Sequence, residues 1–157
     1  MRNRKSRYFA CDFETTVYDG QVNTEVWAAA SVELFTENAH IFHSIREQLD
    51  FFISLNSHIV AYYHNLKFDG SFWLSYLMVD LGLKQAETHS DDINSFRFDD
   101  ISDMPNNSFS YNISSMGQWY RIIIKIRNKI IEIRDSLKLL PFSIERIGES
   151  FGTKHKK

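Results

Sequence analysis

The chain has 157 residues, of which 43% are hydrophobic and 15% aromatic, and its formal net charge at pH 7 is −2. This length and composition fit one domain with a substantial core, and they exclude low-complexity and collagen-like proteins. The charge gives no global positive field that would point to nucleic acid, although a local groove can be basic on a neutral protein.

The location of the protein can also be narrowed. A single cysteine, Cys11, cannot form an internal disulfide, which favours a reducing compartment. No apolar run approaches the ~18 residues of a membrane span, so we expect no membrane partner. The basic start, MRNRKSR, is not followed by a hydrophobic segment and does not predict a signal peptide. We therefore expect a cytoplasmic protein.

The first half of the chain predicts alternating strands and helices. Residues 8–14 predict a strand, because apolar side chains recur at every second position. Ser44 and Glu47 have capping-box spacing and predict a helix that begins at Ser44. A second helix is predicted to open at Asp69. Further strands are predicted at residues 25–35, 39–43 and 58–65.

The second half begins with an acidic, turn-rich stretch. Residues 87–108 predict a solvated surface excursion with a short strand at 95–98. Two β-rich runs, WYRIIIKI and KIIEIRD, are separated only by Arg127 and Asn128, which predicts a hairpin. Short helical segments follow at 137–140 and from Ser143 to just before Gly152. The basic ends, 1–7 and 153–157, are predicted to be tails of a single mixed α/β domain that spans residues 1–157.

Three carboxylates follow predicted strands. Asp12 and Glu14 lie two residues apart at a strand end, so they point to the same side. Asp69 stands near a helix start after another strand. Each has an ordinary explanation alone: solvation or ion pairing for the pair, and a favourable helix dipole for Asp69. If the two strands are neighbours, however, the three acids converge, and Mg²⁺ or Mn²⁺ would relieve their repulsion.

The stretches CDFETT (11–16) and YHNLKFDG (63–70) resemble the first two exonuclease motifs of family B DNA polymerases. The resemblance is greatest to the protein-primed subgroup of small phages and linear plasmids. SSMGQWY and RDSLKLLPFSIERIGESF are similar to later segments of the same domain, so the resemblance runs from residue 8 to about 151. It implies an RNase H-like, DnaQ-like fold, with a mixed sheet flanked by helices and an added β-hairpin. The implied activity is 3′–5′ proofreading of single-stranded DNA ends in replication.

The resemblance also implies roles for individual residues. Asp12, Glu14 and Asp69 match the metal ligands of a two-ion site, in which one ion activates water and the other steadies the departing 3′ oxygen. The positions that match contacts to the single-stranded 3′ end are Thr15, Tyr62, His64, Asn65, Phe68, Ser136 and Leu137. An aromatic ring stacks on any base, which suits an enzyme that must accept every mismatch.

Ordinary structural roles compete with these contacts. Tyr62 and Phe68 have core packing as their alternative, and we expect at least one of them to be a core residue. His64 is equally well explained as a structural histidine with satisfied hydrogen bonds. Asn65 has a turn-forming alternative of its own.

The chain departs from the family in two respects. The third exonuclease motif, which pairs a Tyr with an Asp and has a Lys upstream, is not found, and neither Tyr120 nor Asp135 replaces it. Polymerase motifs are also missing. A two-ion site that lacks one ligand is expected to lose most of its activity. A polymerase domain, a terminal protein or another replication partner could supply what is missing.

Three hypotheses therefore stay open. The first is a metal-dependent exonuclease domain or fragment of a protein-primed DNA polymerase. The second is a catalytically impaired remnant that binds single-stranded DNA or another protein. The third is a different RNase H-like nuclease, which the single-strand-contact matches disfavour. A zinc site is not expected. His40 and His43 are spaced like a ligand pair, but the sequence offers only one cysteine and no second histidine pair to complete the site.

Overall fold

Eight strands form one mixed sheet within the residues that the computed structural model describes, which are 5–36, 38–86 and 101–151. The strands are β1 (Ser6–Thr15), β2 (Val26–Glu33), β3 (Ala39–Phe42), β4 (His58–Tyr63), β5 (Lys84–Gln85), β6 (Ser108–Ile113), β7 (Trp119–Ile126) and β8 (Lys129–Asp135). The helices are α1 (Ile45–Ser54), α2 (Leu66–Ser75) and α3 (Ile144–Phe151), with a π-helical turn at Tyr76–Asp80 and 3-10 turns at Ile101–Asp103 and Ser136–Lys138. Of the described helices, none has both the length and the apolar character needed to span a membrane.

The strand order is β3-β2-β1-β4-β8-β7-β6-β5. The central strands β1, β4 and β8 run parallel to one another, while β2, β3, β7 and β6 join by antiparallel pairing. The carboxyl ends of β1, β4 and β8 therefore meet at one edge of the sheet. The predicted mixed sheet flanked by helices is confirmed. The strand that carries Asp12 and Glu14, β1, is also the direct neighbour of β4, the strand that precedes Asp69.

One face of the sheet carries the core, because every second side chain of the central strands is apolar. The buried strand residues on this face are Phe9, Cys11, Phe13, Ala29, Ile59, Ala61, Tyr63, Phe109, Ile122, Ile124, Ile131 and Ile133. Helix α1 covers them with Leu49 and Phe52, and α2 with Leu66 and Trp73. Full burial of each Ile, Leu or Phe side chain among them contributes ~1.5–3 kcal/mol.

Local signals placed α1 and the hairpin correctly. The Ser44 hydroxyl accepts a hydrogen bond from the Glu47 amide at 3.1 Å, and the Glu47 carboxylate accepts one from the His43 amide at 2.9 Å. The helix cap is therefore confirmed, although the reciprocal bond reaches the residue before Ser44. Arg127 and Asn128 adopt φ values of 48° and 56°, which is the two-residue turn that matches the twist of a hairpin.

The predicted start of the second helix is wrong. Helix α2 begins at Leu66, so Asp69 lies within its first turn and does not open it. The start is set by Asn65, whose φ of 63° lies in the left-handed region that asparagine tolerates. The Asn65 amide donates to Oδ1 of Asp135 at 3.2 Å. Since Asp135 belongs to a distant strand, only tertiary structure could place this boundary.

Two stretches that were predicted to be solvated are in fact packed against the sheet or part of it. Residues 101–108 are not simply a solvated excursion, because Met104 is 1% exposed and packs with Ala86 and Ile123. Strand β6 then pairs with β7 and was not predicted. At the N-terminus, Arg7 belongs to β1 and not to a tail, since its guanidinium binds Glu33 at 2.7 and 2.8 Å. The predicted strand at 95–98 and the tail at 153–157 lie outside the described residues.

Candidate active site

The carboxylates of Asp12 and Glu14 stand at the carboxyl end of β1. They alternate with its buried apolar residues, so they point to the face opposite the core. Strand β4 ends at Tyr63, which pairs with Cys11, so β1 runs on beyond its parallel neighbour from Asp12 onward. Asp12 is half-buried and Glu14 is exposed. Both side chains therefore lie at an edge of the sheet that a ligand can reach.

Asp69 reaches the same edge from the core side. Helix α2 packs on the core face, and the Asp69 side chain is only 4% exposed. Its charge acts on Cys11, whose pKa is raised to about 12, chiefly by burial and further by the charges of Asp12 and Asp69. Burial likewise raises the pKa of Tyr63, with Asp69 again contributing. The charges of Asp12 and Asp69 thus both act on the Cys11 thiol.

A shared metal site stays a prediction. The donor chemistry fits, because three carboxylates offer the hard oxygen ligands that Mg²⁺ and Mn²⁺ prefer. The arrangement is less favourable: within residues 5–36, 38–86 and 101–151, no group of three His, Cys, Asp or Glu side chains is placed to hold a metal ion. Asp12 and Glu14 approach from the open face of the sheet, whereas Asp69 approaches from the core face.

Three of the predicted single-strand contacts line one groove. The groove lies on the open face of the sheet and has a volume of about 730 Å³. Tyr62, His64 and Ser136 line it together with apolar side chains that include Leu139 and Ile144. Tertiary structure thus brings together residues from β4, the 3-10 turn after β8 and α3.

His64 is held by hydrogen bonds on both ring nitrogens. Nε2 lies 2.6 Å from the carbonyl oxygen of Phe142, which can only accept, so Nε2 carries a proton. Nδ1 lies 3.2 Å from the Ser136 hydroxyl, which is also 3.3 Å from the carbonyl oxygen of Tyr63. The ring therefore ties the segment after β8 to the end of β4, which is the structural alternative that the sequence left open.

The first turn of α2 exposes two of the predicted contacts. Phe68 is 49% exposed and makes an edge-to-face contact with Phe72 at 5.3 Å. Asn65 is exposed, and its side chain does not cap the helix. Since Tyr62 lines the groove, neither aromatic candidate belongs to the core cluster. The expectation that at least one of them would be a core residue is wrong.

The remaining two predicted contacts sit at the ends of strands. Thr15 is half-buried at the end of β1, just past a register shift between it and Glu14. Leu137 is half-buried in the 3-10 turn after β8, where its amide donates to Oδ1 of Asp135 at 2.9 Å.

Sequence reasoning set Asp135 aside, yet it organises this edge of the sheet. The residue is 7% exposed, and Oδ1 accepts hydrogen bonds from the amides of both Asn65 and Leu137. It thereby joins the start of α2 to the turn that follows β8. An aspartate two residues before a turn amide is a local capping signal that could have identified the second bond. The first bond depends on the parallel pairing of β4 with β8.

Gly70 allows α2 to lie close to the sheet. A Cβ atom at this position would lie 2.8 Å from Cζ3 and 2.9 Å from Cε3 of Trp119. The indole of β7 therefore sets the depth of the helical turn that carries Phe68 and Asp69.

Comparison with known proteins shows that this chain is similar to DNA polymerases of phages. The DNA polymerase of Bacillus phage phi29 is 33% identical over an alignment of 158 positions, and this alignment covers 96% of this chain and 24% of that polymerase. The polymerase of Bacillus phage M2 is 34% identical over 151 residues, covering 92% of this chain and 23% of the relative. This chain is homologous to phi29-type DNA polymerases. No protein-family model matches it.

Solved structures of phi29 DNA polymerase share the fold. The complex with primer-template DNA has a TM-score of 0.75 at 28% identity and covers 98% of this chain and 25% of that one. The complex with single-stranded DNA has a TM-score of 0.72 at 28% identity, and the match covers 96% of this chain and 24% of that one. The chain thus spans about a quarter of the length of the phi29-type polymerases that it matches. The predicted resemblance to phage DNA polymerases is confirmed at this level.

Proposed function

We propose that this chain carries a metal-dependent 3′–5′ exonuclease site related to the proofreading activity of phi29-type polymerases. The observation that carries the proposal is the edge of the sheet where β4 stops. There β1 presents Asp12 and Glu14 on the open face, and the next helix brings the buried Asp69 to the same edge. The homology to phi29-type DNA polymerases over nearly the whole chain supports a relation to DNA replication.

The residues of this edge divide the work. Asp12, Glu14 and Asp69 would hold the Mg²⁺ or Mn²⁺ ions. When bound, these ions supply an activated water and stabilise the departing 3′ oxygen. Because Phe68 is exposed beside Asp69, its ring can stack on the terminal bases, which is worth ~1–3 kcal/mol per base. Stacking is indifferent to base identity, as proofreading requires.

Further contacts would orient the single strand. Tyr62 offers a second aromatic surface in the groove, and Asn65 and Thr15 present short polar side chains at the same edge. Ser136 and His64 keep the wall of the groove in place through their mutual hydrogen bond. Leu137 fixes the turn beside them through Asp135. The single-stranded 3′ end is the proposed substrate, and a polymerase domain, terminal protein or other replication protein is the proposed partner.

One observation favours a second candidate function. Because no three potential ligands among the described residues are placed to hold a metal ion, a chain that binds single-stranded DNA or a protein without cleaving is the alternative. The two functions share the groove and the exposed aromatic ring. They differ in whether DNA is shortened.

A nuclease assay separates them. A 5′-labelled single strand is incubated with the protein and Mg²⁺ or Mn²⁺, beside Asp12→Ala and the matched acidic control Asp50→Ala. Asp50 lies on α1 with a side chain that is 57% exposed. Stepwise shortening that Asp12→Ala abolishes and Asp50→Ala retains supports the exonuclease. Binding without shortening selects the second function in its DNA-binding form, and neither binding nor shortening refutes both the exonuclease and the DNA-binding module.

A further inference from the structure

A row of paired residues crosses the open face of the sheet. Ala10 of β1 pairs with Tyr62 of β4, Tyr62 with Arg134 of β8, and Arg134 with Arg121 of β7. Paired residues in adjacent strands point to the same face, and so do residues two apart in one strand. The row therefore shares a face with Asp12, which lies two residues further along β1. On the face that also carries Asp12, Tyr62 is therefore followed across the sheet by the side chains of Arg134 and Arg121.

The two arginines are held by one buried carboxylate. Glu132 has a side chain that is 2% exposed, and its Oε2 accepts hydrogen bonds from Nε and Nη2 of Arg134 at 3.0 and 2.7 Å. Arg121 lies further away, with Nη1 at 3.8 Å from the same oxygen. His58 donates from Nε2 to the other oxygen at 2.7 Å. Each guanidinium has five N–H donors. Glu132 accepts from two of those on Arg134, and the Tyr62 side chain interacts with the same guanidinium, so both arginines keep N–H donors that Glu132 does not use.

The charges of this cluster do not cancel. Two arginines face a single glutamate, which leaves a net charge of +1 even when His58 is neutral. Both arginine side chains are partly exposed, at 39% for Arg134 and 34% for Arg121. A single cation would have been enough to neutralise Glu132. The second one leaves this cluster positive beside Tyr62, on a chain whose overall charge is −2.

The spacing suits a polynucleotide. Strands lie ~4.8 Å apart and rise ~3.3 Å per residue, so the backbone of Arg134 is about 12 Å from that of Asp12 and the backbone of Arg121 about 16 Å. These separations correspond to a few nucleotides of single strand. Arginine also matches phosphate geometry, because its planar fork can donate two parallel hydrogen bonds.

We propose that Arg134 and Arg121 bind backbone phosphates of the single strand upstream of its 3′ end. The strand would run from the edge at Asp12 across Tyr62 and onto β8 and β7. This inference rests on the proposed function, because it takes the 3′ end to lie at that edge. Glu132 is then a positioning residue that holds Arg134 against the sheet.

The test measures binding of labelled oligothymidylate by fluorescence anisotropy in EDTA, so that no cleavage occurs. The variants are Arg134→Gln, Arg121→Gln and the double variant. Arg46→Gln is the matched control, since Arg46 is on α1 and its side chain is 79% exposed. Each lost phosphate contact is expected to reduce the slope of log K against log salt by about 0.7, and the double variant by about 1.4. A dinucleotide, whose single internucleotide phosphate lies next to the 3′-terminal nucleotide, is expected to bind all variants equally.

An unchanged slope in a folded double variant would overturn the inference, and so would an equal loss of affinity for the dinucleotide and a dodecamer. If Arg134→Gln does not fold, Arg121→Gln alone decides, because Glu132 then keeps its two nearer partners. If the wild-type protein shortens DNA but the arginine variants keep its salt slope, phosphate binding by Arg134 and Arg121 is refuted and the exonuclease proposal remains. Wild-type protein that binds no DNA would overturn both.

Discussion

Glu132 is the carboxylate whose ionisation should govern the acid stability of the fold. It is almost fully buried between His58 and Arg134, with hydrogen bonds of 2.7 to 3.0 Å. Burial alone would raise the pKa of this group. The hydrogen bonds and charges of His58 and Arg134 outweigh burial and lower the pKa from 4.5 to about 2. The substitution that isolates this effect is Glu132→Gln.

The lowered pKa sets both the size and the direction of the effect. A change from 4.5 to about 2, at about 1.4 kcal/mol per pKa unit, corresponds to about 3 kcal/mol of stability. This stability is fully present above pH 4.5 and is lost as the pH falls towards 2, because the unfolded chain takes up the proton first. Glu132→Gln lacks the charge at every pH. Its deficit in unfolding free energy should therefore be about 3 kcal/mol near pH 6 and close to zero near pH 2.

Urea unfolding followed by circular dichroism across this pH range measures the deficit without the screening that an ionic denaturant adds. Asp50→Asn is the control, since its exposed ion pair with Arg46 should contribute less than about 1 kcal/mol at any pH. A deficit for Glu132→Gln that stays constant from pH 6 to pH 2 would refute the reasoning. It would mean that the carboxylate contributes through its shape and not through its charge.

Two further outcomes are expected at α2. Gly70→Ala should destabilise the fold by ~1–3 kcal/mol in denaturant titration, because its Cβ would meet the Trp119 ring at 2.8 Å and the gain in helix propensity is at most ~1 kcal/mol. Ser75→Ala in the same helix, at an exposed position, should not destabilise it, and equal effects would contradict the close packing. Phe68→Ala should weaken oligothymidylate binding in EDTA by ~1–3 kcal/mol while changing the melting temperature little, because the ring is 49% exposed. Unchanged affinity in that variant would remove base stacking from the proposed role of Phe68.

Short-range physics explains what could be predicted from the sequence. The alternation of apolar residues in β1 determined which face is buried and hence that Asp12 and Glu14 share the other face. The cap at Ser44 and the turn at Arg127 and Asn128 depend on residues at most a few positions apart. Such features follow from backbone geometry and local hydrogen bonding, which act before distant segments meet.

Long-range pairing decided the rest. The start of α2 depends on a bond from Asn65 to Asp135, and the burial of Met104 depends on Ile123 of β7. Both partners are too distant along the chain for a pattern of neighbouring residues to reveal them. Similarly, the sequence shows that Asp69 follows a strand, but only the packing of α2 on the core face shows the side from which it approaches β1.

The same division holds for the candidate site and for the arginine row. The motif residues and the chemistry of their side chains can be named from the amino-acid sequence alone, because they depend on residue type and local order. The alignment of Tyr62, Arg134 and Arg121 exists only because β4 pairs in parallel with β8, and β8 in antiparallel with β7. A shift of one residue in either register would turn these side chains to the opposite face. Register is a property of the assembled sheet, so tertiary structure alone determined which charges face the groove.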